Sequence, residues 1–401
     1  MVYKELKEEN QHLTIKAPSP IYIIGLISFF TLFSTEMILN ILPLFTISIG
    51  GTPLILGLIA GVSSLSLYFL YSIWSRLRDQ FKTQKQIIIC GCIVSNISKP
   101  FIGLSPSWGY VLGLKAAECT GNQIRSYSCD DFCSCLSNER GKALRLNKVL
   151  ESLGLIFGSF FSFIFILMNW SYTQIILFSI IPGFITVILM ILLKSDNGVN
   201  FITNSKSHNS PPIEDIKNPS SIKLYVIIGI LEFTSLDALF LVIRALDLIP
   251  LNVIFLIPLF FSGSNIIYLL ASDRLFALAH KRGEKLIMLL GLSLLLFASL
   301  LLIFHYEVSG VSLFLIITAF LLYGFSKASL TPLSRSFISN LIGENGVRKS
   351  KIRWFALIGL FALVKSVLLG FIYFVYTFSG AFTFMVALLL ISLIFVTFSK
   401  L

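Results

Sequence analysis

GLISFFTLFSTEMILNILPLF, residues 25–45, carries a single ionisable group, Glu36, among apolar, hydroxyl and amide side chains. A continuous apolar run of about 20 residues is long enough to cross the hydrocarbon core of a bilayer, where a helix satisfies its own backbone. Counted from residue 21, this run is followed by others at about 53–74, 87–105, 108–128, 147–168 and 172–193. Beyond a polar stretch they resume at about 222–246, 250–272, 285–305, 309–332, 354–377 and 379–398. The runs are continuous and do not alternate, so they predict helices and not a barrel. Composition points the same way: 56% of the 401 residues are hydrophobic, 13% are charged, and there are 37 Phe. One water-soluble core cannot absorb that much apolar surface, whereas lipid can. The predicted fold is all-α and polytopic, with about twelve transmembrane helices.

The formal net charge is +11, but the basic residues form no stripe of the kind that binds nucleic acid. They sit in alternate connections: Arg76, Arg78, Lys82 and Lys85; Arg140, Lys142, Arg145 and Lys148; Lys281, Arg282 and Lys285; Arg348, Lys349, Lys351 and Arg353. The intervening connections near 46–52, 104–108, 169–172, 247–250, 305–309 and 376–380 hold no Lys or Arg. Positive residues stay cytoplasmic, which predicts both termini inside a plasma or inner membrane. The polar first twenty residues and the span-length first run do not read as a cleavable signal peptide. The stretch containing NSPPIEDIKNPSS reads as a flexible cytoplasmic linker. The expected plan is a tail at 1–20, six helices at 21–193, a linker at 194–221 and six more helices at 222–401.

The two halves echo each other. KQIIICG (Lys85–Gly91) recurs as KLIMLLG (Lys285–Gly291), Ser34-Thr35-Glu36 as Thr234-Ser235-Leu236-Asp237, and Arg125-Ser126-Tyr127 as Arg335-Ser336-Phe337. The matches keep one order and an offset of roughly 200–210 residues, as two parallel repeats require.

With these features the chain resembles the major facilitator superfamily, over nearly its whole length. GLISFFTLFSTEMILNILPLF resembles the first helix of a branch of prokaryotic, efflux-type permeases. LKAAECTGNQIRSYSCDD (Leu114–Asp131) resembles the fourth, RGKALRLNKVLESLGLIFGSF (Arg140–Phe160) the fifth, SLDALFLVIRALDL (Ser235–Leu248) the seventh and LLYGFSKASLTPLSRSF (Leu321–Phe337) the tenth. The family's signature loop between helices two and three keeps only its aspartate, Asp79. The matching loop keeps Gly283 and Lys285, with His280 at the aspartate position. Thr331 stands where an acid is expected in the tenth helix, and Ser159 where antiporters of the family place proline. The resemblance implies two six-helix bundles rocking about a mid-membrane site, a monomer, and proton-linked export of a small organic solute.

An ionisable side chain at mid-membrane is costly unless it faces a cavity or a partner, so such residues are the informative ones. Lys115, Glu118, Asn122 and Arg125 are spaced three, four and three apart, which places them on one helical face. They read as a cavity lining or as an ion-pair ladder. Glu36 and Asp237, matching acids of spans one and seven, are the candidate proton carriers, since a carboxylate held out of water suits that task. Their bland reading is interhelical hydrogen bonding or pairing. Arg244, on the same face as Asp237, joins Lys327 and Arg335 as a further cavity candidate able to hold an anionic group. Lys99 and Lys365 read as snorkelling or paired lysines. Asp79, Glu151, Gly154, Gly158 and Gly283 are the candidate gating positions: Glu151 as part of an interdomain charge cluster, the glycines as points of close approach and turning.

CDDFCSC (Cys129–Cys135) gathers thiols and carboxylates, but its spacing is not that of a zinc module, and free thiols in a reducing compartment are expected. No phosphate-cradling loop, serine elbow or zinc-protease helix is present, so neither an ATP-driven pump nor an enzyme is expected, and no cofactor. The reading is a secondary transporter whose partners are a small solute, protons and lipid. The alternatives are a transporter-like sensor or assembly protein, favoured by the eroded loop, and an uncoupled facilitator.

Overall fold

The computed structural model describes residues 19–80, 84–135, 140–192, 219–250, 253–304, 309–342 and 349–398. The described residues form helices and connections with no strand. The first part of the chain contains α1 (Ser19–Ser48), α2 (Pro53–Gln80), α3 (Gln84–Gly103), α4 (Trp108–Cys135), α5 (Arg140–Leu167), α6 (Tyr172–Phe178) and α7 (Ile180–Leu192). The second contains α8 (Pro219–Phe233), α9 (Ala238–Leu248), α10 (Leu256–Arg282), α11 (Glu284–Leu301), α12 (Ser309–Ile342) and α13 (Lys349–Phe398). The expected tail and most of the expected linker lie outside the described residues.

Turns are made where the chain permits a positive φ: Gly50 (φ 86) closes α1, and Gly283 (φ 99) separates α10 from α11. Ser171 begins α6 with a capping box, its hydroxyl and the Gln174 side chain each bonding the other's backbone N–H. Proline 182 has no N–H to return to the Phe178 carbonyl, which accounts for the break between α6 and α7.

Ten stretches among the described residues are long and apolar enough to cross a membrane, against the twelve expected. The difference has two sources. α4 is not among the ten, because its polar face lowers its hydropathy. One stretch, Ala356–Phe398, runs 43 residues. At about 1.5 Å per residue that is roughly twice the ~30 Å core, and its backbone leaves the helical region at Thr377 (φ 62, ψ −168).

Within the first part α1 packs on α5 and α7, α2 on α4, and α3 on α4; within the second α12 packs on α10 and α11, and α11 on α13. Two antiparallel crossings join the parts. α2 lies along α13, where a Cβ on Gly370 would come 2.7 Å from the Pro53 carbonyl and one on Gly61 3.0 Å from Leu363. α5 lies along α10, from an Arg145–Asp273 ion pair at 3.0 Å to the Phe163–Phe255 rings at 6.0 Å. Within the first part, a Cβ on Gly158 would sit 2.6 Å from the Phe33 carbonyl and 2.8 Å from Cβ of Glu36, and Gly154 is as close to Phe29. Those two glycines therefore set the α1–α5 approach that brings Glu36 against α5.

Candidate substrate cavity and the buried charges around it

The stripe on α4 is buried against α1 and α3, and most of its polar atoms find partners there. Lys115 Nζ meets Glu118 Oε2 at 2.6 Å, both side chains being almost fully buried. Asn122 Nδ2 donates to Glu118 Oε1 at 2.6 Å, as does Thr35 Oγ1 at 3.2 Å. Ser95 Oγ donates to Asn122 Oδ1 at 2.9 Å, and Arg125 Nη1 donates to Ser28 Oγ at 2.9 Å. The stripe therefore has two characters. Lys115 and Glu118 neutralise each other in a ladder, whereas Asn122 and Arg125 also line a cavity. Nearby, Lys99 donates to Ser34 Oγ at 3.0 Å and Asn96 Oδ1 at 3.4 Å, and is completely buried.

Glu36 is 5% exposed, and its carboxylate is held by neutral groups. Ser159 Oγ approaches Oε1 at 3.5 Å from α5, and Asn265 Nδ2 donates to the same oxygen at 3.2 Å from α10. Lys327 Nζ of α12 donates to Asn265 Oδ1 at 3.4 Å and stands 5.3 Å from the Tyr268 ring. A chain from Lys327 through Asn265 to Glu36 thus crosses from the second part of the protein to the first. Lys327 and Lys115 are the cations whose fields reach Glu36.

Asp237 is held differently. α8 unwinds after Phe233, and Asp237 precedes α9 without capping it. The run expected as one span at 222–246 is therefore two helices. Lys365 of α13 donates to the freed Ser235 carbonyl at 2.9 Å and Ser235 Oγ at 3.1 Å, and pairs with Asp237 Oδ2 at 3.2 Å. Ser366 Oγ donates to the same Asp237 oxygen at 2.7 Å. Arg244 does not join these groups. It is fully buried, donates to the carbonyls of Leu302 (2.9 Å) and Phe304 (2.7 Å), and lies 3.5 Å over the Phe378 ring, where it ties α9 to the end of α11 and to the Thr377 kink of α13.

Both parts of the chain line a cavity of about 340 Å³ whose polar wall includes Asn122, Gln123, Arg125, Glu151, Glu232 and Arg335. A second space of about 210 Å³ adjoins it and shares Tyr68, Glu232, Thr331 and Ser334; Lys327 and Tyr323 lie on its wall. Tyr68 Oη donates to Glu232 Oε2 at 2.8 Å, joining α2 to α8 at their common boundary. Glu151 meets Lys148 at 3.0 Å and lies 4.0 Å from Arg125, and Lys148 also meets Asp130 at 3.1 Å. The charge of Arg335 reaches Lys148 and Glu151 across the cavity, so the cluster expected around Glu151 includes a residue of α12.

Cys129 and Cys133, free as expected, turn into an apolar cluster with Cys92, Ile24 and Ala143, while Asp130 pairs with Lys148. Asp79 falls on α2 with its side chain outside the described residues. Conversely, Glu232, Tyr68 and Asn265 belong to the site without having been singled out. The signal for Glu232 is the general one, a carboxylate inside an apolar run, five residues before the acid that drew attention.

No family model matches the chain. An uncharacterized MFS-type transporter of Methanocaldococcus jannaschii is 27% identical over 366 residues, covering 88% of this chain and 88% of that one. Among solved structures, a POT family transporter in complex with 5-aminolevulinic acid covers 96% of this chain and 97% of its own, with TM-score 0.77 and 13% identity. The nucleoside transporter NupG covers 94% and 98%, with TM-score 0.72 and 10% identity. At such identities the solved structures speak for the fold alone. The chain is thus similar over most of its length to an MFS-type transporter, and its helices share the fold of these solved transporters.

Proposed function

We propose that this protein is a secondary transporter that moves a small solute through the cavity between its two parts by alternating access, coupled to protonation of Glu36. The observation that carries the reading is the Lys327–Asn265–Glu36 chain, in which a buried carboxylate is held across the inter-part boundary by a neutral amide. Protonation of Glu36 weakens its attraction for the amide donors and for the cations Lys327 and Lys115, and so changes the balance between conformations. Asp237, already paired with Lys365, acts in this reading as a structural hinge-point for the α8–α9 break.

The architecture we propose has twelve crossings. α4 counts as a span because its charges face the protein interior, and α13 counts as two, divided at Thr377. Units at 21–193 and 222–401, a tail at 1–20 and a linker at 194–221 make a six-plus-six monomer in the plasma or inner membrane. The Lys and Arg bias supports cytoplasmic termini. Export is the direction implied by the resemblance to efflux-type permeases.

Inverted vesicles holding the full chain provide the test, with an internal pH dye and a panel of anionic, neutral and cationic compounds. A compound that dissipates the proton gradient in wild type and Asp237→Asn but not in Glu36→Gln supports the proposal. Solute flux that persists unchanged in Glu36→Gln would make the protein a facilitator. No flux of any compound from folded, correctly oriented protein would favour the non-transporting alternative.

A further inference from the structure

The wall of the cavity sets two cations, Arg125 and Arg335, against two carboxylates, Glu151 and Glu232, and the adjoining space adds Lys327, whose charge also reaches Glu36. Both carboxylates already accept from groups of the protein, Glu151 from Lys148 at 3.0 Å and Glu232 from Tyr68 at 2.8 Å. Their capacity to receive a cationic solute is thereby reduced. Lys148, beside the cavity, is shared with Asp130 at 3.1 Å and adds no excess charge.

Arg125 supplies the more specific feature. It is 1% exposed, and of its fork only Nη1 has a hydrogen bond of ordinary length, to Ser28. Nη2 stands 4.0 Å from Glu151, beyond bonding distance, and Nε has no acceptor among the described residues. Nε–H and one Nη2–H of a guanidinium point the same way, and that edge is the one that receives an oxyanion through two parallel bonds. A buried guanidinium edge without an acceptor is costly, and in native proteins such groups normally meet a partner or a ligand.

We infer that the transported solute carries a carboxylate or phosphate, seated on the Nε–Nη2 edge of Arg125 and within the field of Arg335. This assignment rests on the transport reading for its meaning but not for its geometry. The two arginines come from opposite parts of the chain, α4 and α12. An anion held by both would draw the parts together, as a solute in an alternating-access cycle must. A volume of about 340 Å³ suits a small organic anion, with the hydroxyls of Ser126, Thr331 and Ser334 available to its remaining polar groups.

The test is binding, measured apart from flux. Full-length protein in nanodiscs of zwitterionic lipid alone, which excludes anionic headgroups, is heated with succinate, benzoate or glycerol 3-phosphate at constant ionic strength in chloride. Succinamide, benzamide and glycerol are the neutral controls. At least one anion should raise the unfolding temperature saturably while its neutral partner does not. Arg335→Gln, at an exposed position, should fold normally and weaken that anion by about tenfold or more. Arg125→Lys, which keeps the charge but loses the two-bond edge, should weaken it as well. Silence from all three anions, equal stabilisation by a neutral partner, or undiminished binding to Arg335→Gln overturns the assignment. The transport reading fails separately: a bound anion that never crosses sealed vesicles leaves the anion site standing and removes transport, while flux of only neutral or cationic solutes does the reverse.

Discussion

Glu36 and Asp237 occupy matching places in the two parts of the chain, and each meets a serine from a matching neighbour, Ser159 of α5 and Ser366 of α13. The symmetry stops there. Asp237 has Lys365 at 3.2 Å, a cation that also binds the broken backbone at Ser235. Glu36 has in its place the neutral amide of Asn265. Serine 366 gives its hydroxyl to Asp237 at 2.7 Å, whereas Ser159 keeps a closer bond to its own helix, 3.0 Å to the Leu155 carbonyl, and stands 3.5 Å from Glu36. A carboxylate paired with a buried lysine is fastened by a partner that loses as much when the pair is broken. One held by amide and hydroxyl is free to take up a proton without stranding a contacting cation. One duplicated position is thus a fastening in the second part, while in the first it is the one to which the proposed coupling assigns a change of charge.

The comparison is open to attack at several points. The largest expected effect is on coupling: Glu36→Gln should abolish proton-linked flux, while its unfolding midpoint stays within about 1 kcal/mol of wild type because an amide still accepts from Asn265 and Ser159. The double variant Asp237→Asn/Lys365→Met should keep coupled flux, and its complete loss would mean that the two acids are not divided in this way. Next comes stability. Lys365→Met alone leaves Asp237 without its cation and the Ser235 carbonyl without its donor, and should cost about 3–5 kcal/mol; the double variant should recover most of that. Reversible denaturant unfolding in detergent measures both. If Lys365→Met is neutral, the pair is not a fastening. A smaller difference separates the serines: Ser366→Ala should cost roughly 1.5–3 kcal/mol, as for a hydrogen bond to a charged group, and Ser159→Ala under about 1 kcal/mol.

The α4 stripe was legible because its information is local. Spacings of three, four and three place Lys115, Glu118, Asn122 and Arg125 on one face, and the Lys115–Glu118 pair follows from that alone. The character of Glu36 was not legible, since the residue that decides it, Asn265, lies 229 positions away. The same holds for the break between α8 and α9. No Pro or Gly occupies Thr234–Asp237, so periodicity reads one uninterrupted helix, and the partner that supports the unwound turn, Lys365, is 130 positions from Ser235. Arg244 shows the opposite error. Its spacing predicts a face shared with Asp237, but Asp237 is extended where it precedes α9, and the Arg244 side chain ends on the carbonyls of Leu302 and Phe304.

Tyr68 and Glu232 form a further contact between the parts, one that neither acid shares. The bond is a single phenol on a carboxylate at 2.8 Å where the two spaces of the cavity meet. Tyr68→Phe keeps the ring and removes only that donor, so stability should fall by about 0.5–1.5 kcal/mol. The change should be in the balance of conformations more than in folding, since Glu232 is then held to α2 by one fewer polar contact. Cross-linking of cysteines placed at Ser126 and Ser334, which face the same cavity from α4 and α12, reads that balance directly. A faster or slower cross-link in Tyr68→Phe, with proton-linked flux retained in that variant, would make this bond a gate independent of the proton site. Identical cross-linking rates would reduce it to local packing, beside the Glu36–Asn265 contact and the Arg145–Asp273 pair that also join the parts.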